Sequence, residues 1–240
     1  MKIELNQWVR VDAEAGPGVW VRSYRFSGAS TSNAFVVRFG DGELAIISPP
    51  CHVDEAGFTE LDALGRVSAL VAPNGFHHLG LPAFAARYPD AKLYANPSAS
   101  KRIAKKYPKM RAFESMEALE ARLPAGLRIF DPPHMKTPDA MAWAETPSGV
   151  IWYSNDVLGN LSELPSAWIL RKLFEWTKSA PGFKVNRLVL KFFRPRAPFA
   201  EWFRSEIETR PPIIVVPGHG DIVAEGDVAA ATREALSVGL

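Results

Sequence analysis

The residues best suited to chemistry are His77, His78, His134, Asp156 and His219, and each follows a short apolar run. His77 and His78 lie in Asn74-Gly75-Phe76-His77-His78-Leu79-Gly80, after Val67–Val71 and before a stretch, Leu81 to Tyr88, with apolar residues at helical spacing. Pro82 is compatible with the first turn of that helix. His134 follows Leu127–Phe130, Asp156 follows Val150–Tyr153, and His219 follows Ile213–Val216. In layered α/β proteins, the C-terminal ends of strands are where ligands and metals gather. Imidazoles and a carboxylate at such ends form a metal-donor inventory. A polar histidine pair with no metal fits the same turn, and adjacent residues of an extended turn point apart. Asn74 either caps the turn or fills space beside the site, and its residue type favours the cap.

The elements that must position these groups can be read in order. Val9 to Phe26 suggests two strands broken near Gly16-Pro17-Gly18. Asn33–Phe39 and Glu43–Ile47 flank Gly40-Asp41-Gly42, a hairpin signal. Asp54 is placed to cap a helix ending at Gly65. Lys92–Ala95 reads as a strand, Pro97 opens a basic helix to about Tyr107, and residues 116–122 form a short helix. Strands are expected at 127–130, 140–146 and 150–154. Leu164 to about Arg196 is helical in pattern, and a further helix runs from Pro198 to Thr209. The strand 213–216 and a helix from Asp227 to Leu236 close the chain. Two halves, each strand-rich and then helical, predict an α+β protein with an αββα sandwich. One domain over 1–240 is expected, with a helical insertion or lid at about 164–210. Its Trp168–Trp176 segment reads as a helix packed on the core or as a cover for an apolar substrate.

The composition is that of an ordinary globular chain: 240 residues, 47% apolar and 22% charged. A net charge of +2 is too balanced to argue for nucleic acid. The basic run Lys101 to Arg111 reads as a solvated helix face, and a second group, Lys184 to Arg196, could line an anionic-substrate entrance or touch a membrane surface. The single cysteine, Cys51, excludes an internal disulfide and a thiolate cluster. No signal pattern opens the chain and no run is long enough to span a bilayer, so a cytoplasmic protein without stable membrane insertion is expected.

A Gly-Asp-Gly hairpin, a strand ending in a histidine cluster, a lone histidine, a strand ending Ser154-Asn155-Asp156 and Val215-Val216-Pro217-Gly218-His219-Gly220 follow one another. This order resembles the metallo-β-lactamase-fold superfamily, whose members include glyoxalase II, lactonases, nucleases and redox flavoproteins. The resemblance covers roughly residues 18 to 236. The superfamily's leading motif is His-x-His-x-Asp-His-x-Gly. Setting its end on His78-Leu79-Gly80 places His77 at the Asp, and Gly75 and Pro73 at the first two histidines. The resemblance then implies that one metal position keeps only His134 and the shared Asp156. The other keeps His77, His78, Asp156 and His219. One divalent metal is therefore expected, best suited to zinc, with iron or manganese as alternatives.

The resemblance further implies a metal-dependent hydrolase of a small ester, lactone or thioester, with Asp156 and His77 as catalytic groups. Asp156 would position or deprotonate water, and His77 stands where the family often has an assisting Asp. The loop Ser48–His52 replaces an Asp-Thr-Gly-like turn beneath the site, which makes Cys51 and His52, with Asn74, candidates to support the ligands. The expected partner is a small molecule. The rival reading is a non-catalytic relative that uses the pocket for ligand binding or survives as a structural protein. A third, redox reading needs a fuller ligand set and a flavin partner.

Overall fold

The computed structural model describes residues 1–28, 30–164, 168–187 and 197–239. Its first sheet has seven strands in chain order: β1 (Val9–Arg10), β2 (Val19–Ser27), β3 (Ser30–Phe39), β4 (Glu43–Ile47), β5 (Arg66–Ala72), β6 (Lys92–Ala95) and β7 (Phe113–Glu114). The pairing is antiparallel from β1 to β4 and parallel from β4 to β7. Parallel strands need crossovers, which are supplied by α1 (Glu55–Leu64), α2 (Leu81–Arg87) and α3 (Pro97–Lys106). These helices begin where side chains or proline allow it. Asp54 accepts from the Gly57 N–H at 2.9 Å, Asn96 accepts from the Ala99 N–H at 2.9 Å, and Pro97 opens α3.

The short α4 (Met116–Glu120) leads to the second sheet, of β8 (Leu127–Phe130), β9 (Met141–Thr146), β10 (Gly149–Asn155) and β13 (Pro212–Pro217). Its order is β13-β10-β9-β8, with β10 and β13 parallel. Alternation along the strands sorts the side chains into three apolar layers. Val21, Phe35, Ile47 and Val71 of the first sheet meet Ile129, Ala142, Ile151 and Val216 of the second. On the first sheet's other face, Val36, Ile46 and Leu70 pack against Phe58, Phe84 and Ile103 of α1 to α3. On the second sheet's other face, Trp152 and Val215 pack against α6 (Ala197–Thr209) and α7 (Val228–Gly239) through Phe199, Phe203 and Leu236. The architecture is helices, sheet, sheet, helices.

The stretch expected as helix from Leu164 to about Arg196 is different. Helix α5 (Trp168–Thr177) stops before Pro181 and Gly182, and β12 (Gly182–Val185) pairs antiparallel with β11 (Leu158–Leu161). A proline ring cannot continue the hydrogen-bond ladder, and Gly182 sits at φ +92°, so the pattern breaks there. The last part, 188–196, lies outside the described residues. Among the described residues, no helix is long and apolar enough to cross a membrane.

Candidate metal centre

The C-terminal ends of β5, β10 and β13 deliver His77, Asp156 and His219 to one place. Asp156 Oδ1 lies 3.1 Å from His77 Nε2 and 3.2 Å from His219 Nε2. The three donor atoms all fall within 4.8 Å of one another. Hydrogen bonds between the sheets hold these ends together. The Asn33 side chain donates to the carbonyls of Pro217 and Gly220 at 2.8 and 2.9 Å, and the Ala140 N–H donates to Pro73 O at 2.8 Å. Two glycines are required by close approach. A Cβ on Gly80 would lie 2.2 Å from Pro50 O, and one on Gly220 (φ +89°) would lie 1.9 Å from Asn160 O.

Each donor is held from behind. His219 Nδ1 donates to the Thr31 carbonyl at 2.8 Å, which leaves Nε2 facing Asp156. His77 Nδ1 is 2.8 Å from Ser48 Oγ. The other carboxylate oxygen, Asp156 Oδ2, accepts from Asn74 Nδ2 at 2.8 Å. Beneath them lies Asp139, a buried residue with no sequence signal to single it out, since it follows Pro138 in a loop with no strand end before it. Its Oδ1 accepts from Asn74 Nδ2 at 2.7 Å and from Asn155 Nδ2, and its Oδ2 accepts from the Asp156 N–H at 3.0 Å. Ser48 likewise carries no signal in the sequence beyond its place in the Ser48–His52 loop.

Charge follows this packing. Burial acts to raise the Asp156 carboxyl, but the His77 and His219 rings outweigh it and hold it well below the usual carboxylate range. For His219, burial pulls down, yet the hydrogen bond and charge of Asp156 lift it above the ordinary imidazole value. Asp139 is pushed well up by burial first and by the Asp156 charge second.

The remaining candidates sit elsewhere. His78 turns away from His77 onto α3, where its Nδ1 is 3.3 Å from the Tyr107 hydroxyl and its ring meets Tyr107 edge-on. Burial, then Lys106, depresses its pKa. His134 stands exposed on its loop at φ +66° and does not join the cluster. His52 is exposed, and Cys51 is half-buried with its thiol 3.8 Å from the Arg25 carbonyl. Asn74 does both things considered for it. Its oxygen accepts from the Phe76 and His77 N–H groups, and its nitrogen reaches the two carboxylates.

The donor set suits a divalent cation. A neutral His219 aims the Nε2 lone pair at a carboxylate oxygen 3.2 Å away, an arrangement that only a proton or a cation makes favourable. His77 is 6%, Asp156 14% and His219 31% exposed at the side chain, so the cluster opens to solvent on the His219 side.

No family model and no curated protein matches this sequence. Solved structures do. A metallo-β-lactamase from Pontibacter korlensis is 14% identical with a TM-score of 0.60, over 96% of this chain and 99% of that one. The metallo-β-lactamase DIM-1 is 15% identical with a TM-score of 0.59, over 99% and 100%. A variant of the flavo di-iron protein from Thermotoga maritima is 13% identical with a TM-score of 0.59, over 98% of this chain and 62% of that one. The chain adopts the metallo-β-lactamase fold, which lactamases and flavo di-iron proteins share.

Proposed function

We propose that this protein is a hydrolase with a single divalent metal, best suited to zinc, held by His77, Asp156 and His219. Its substrate would be a small ester, lactone or thioester. The observation that carries this reading is the convergence of two imidazole nitrogens on one carboxylate oxygen at 3.1 and 3.2 Å. Two histidines and a carboxylate with open positions are a catalytic zinc set and also suit ferrous iron. A divalent cation there supplies Lewis acidity that polarises a scissile carbonyl and acidifies water. The chain's own part is positional. Asn74 fixes Asp156 Oδ2, so Oδ1 is the oxygen left to face a cation beside the two imidazoles. The Thr31 carbonyl fixes the His219 tautomer. Phe26, whose ring centroid is 5.5 Å from that of His219, offers an apolar wall suited to an acyl group.

The placement of His78 and His134 away from the cluster favours a second reading, a non-catalytic relative with a ligand-binding or structural role. Metal content separates the two. Protein purified without a metal-affinity tag is expected to carry about one metal per chain by elemental mass spectrometry. His78→Ala should keep it, and His77→Ala and His219→Ala should lose it. A chain that takes up no metal in excess zinc would leave the second reading standing. A loaded protein inert on an ester, lactone and thioester panel would remove the substrate class.

A further inference from the structure

We propose that Asn74 limits this centre to one cation, because its amide nitrogen fills the space between Asp139 and Asp156 where a second cation would be held; the inference rests on the metal reading above. Asn74 Nδ2 is 2.7 Å from Asp139 Oδ1 and 2.8 Å from Asp156 Oδ2, which commits both of its hydrogens to carboxylates. Its orientation is fixed by its other end, since Oδ1 accepts the N–H groups of Phe76 at 2.8 Å and His77 at 3.1 Å. A flipped amide would set oxygen against two carboxylates and nitrogen against two donors.

Two carboxyl groups sharing one small space ordinarily need a cation or a proton between them. Here a neutral amide donates to both carboxyl groups. A divalent ion bound by carboxylate oxygens sits about 2.0–2.6 Å from each, so it would claim the volume the nitrogen already holds. Displacing the nitrogen breaks four hydrogen bonds, two of which set the turn that presents His77. Asp139 is also tied to Asn155 and to the Asp156 N–H, so the carboxylates cannot easily part to admit both. Asn74 is therefore a positioning residue that fixes metal count and touches no substrate.

The test replaces the donor with an acceptor. Asn74→Asp keeps an oxygen for the Phe76 and His77 N–H groups and turns the nitrogen into a third converging carboxylate oxygen, a site for a hard cation. Wild type and variant are equilibrated with excess manganese(II), freed of unbound ion, and assayed by elemental mass spectrometry and by electron paramagnetic resonance of the bound ion. The expected result is one manganese per chain in wild type and two in Asn74→Asp. The variant's melting temperature should also go on rising at manganese concentrations that already saturate the wild type. Asn74→Gly removes the nitrogen without adding charge, and is expected to exceed one ion per chain if Asn74→Asp does not fold. One ion in wild type and in both variants overturns the inference and leaves the metal reading intact, whereas two ions in wild type overturn the inference and the single-metal reading together. No ion in wild type sinks the metal reading, and the inference with it.

Discussion

Asp131 shows how much a single half-buried group can weigh at this end of the sandwich. It lies after β8, beside Asn96, whose amide stands 3.5 Å away, and burial pushes its carboxyl up to about 6 against that amide's pull. A carboxyl whose folded pKa exceeds its unfolded value of about 3.9 binds more protons when folded, so stability falls as pH rises between the two. The two-unit gap corresponds to about 2 kcal/mol once its partial exposure is allowed for. Asp131→Asn is therefore expected to stabilise the protein by that order above pH 6, with no effect below pH 4. Urea unfolding at pH 4, 5, 6 and 7 checks this, and a gain at pH 4 equal to that at pH 7 would contradict it. The same scale explains what could be read of the site in advance. His77, Asp156 and His219 were legible because scarce residue types stood at strand ends. The direction of His78 was not, because adjacent side chains diverge and only the presence of Tyr107 decides which of them is taken up elsewhere. Asp139 was not legible either: its role comes from three N–H donors contributed by distant segments.

Among the elements, β10 matters most, because it packs on both faces and is followed directly by Asp156. Ile151 and Tyr153 face the layer between the sheets, and Trp152 faces the helices. Trp152 stacks on Phe203 of α6, with centroids 5.6 Å apart and planes at 30°. Phe203 has no exposed surface, so Phe203→Ala leaves a cavity and is expected to cost about 3–5 kcal/mol. Since Phe203 lies on the opposite side of the sheet from the inter-sheet layer, metal content should be unchanged. A shifted urea midpoint with wild-type metal per chain is the expected pair of results. Loss of metal in the folded variant would mean that α6 sets the position of Asp156. Most strands and helices were legible from period and punctuation, notably the Gly40-Asp41-Gly42 hairpin and the Asp54 and Pro97 helix starts. The pairing of β11 with β12 was not, since Leu158–Leu161 and Gly182–Val185 are four-residue runs too short to establish a period, and their contact makes them strands.

At the scale of the molecule, the proposed metal ligands come from both sheets. His77 is carried by β5 of the first, and Asp156 and His219 by β10 and β13 of the second. A cation bound by all three would fasten the two halves across the layer that contains Phe35, Val71, Ile151 and Val216. Binding only to the folded chain, it would raise global stability by about 2.7 kcal/mol at a free concentration one hundred times its dissociation constant. In a chain of this size that is roughly 5–10 °C in melting temperature. Scanning calorimetry with and without a chelator is expected to show one cooperative transition in both cases, lower by that amount when metal is removed and restored by zinc. The hydrogen bonds from the Asn33 side chain to Pro217 and Gly220, and from the Ala140 backbone to Pro73, already join the halves without metal. For that reason the transition should move without splitting. Two separate transitions after chelation would mean that the metal, more than these bonds, makes the sandwich one unit. An unmoved transition would mean that no cation spans the sheets.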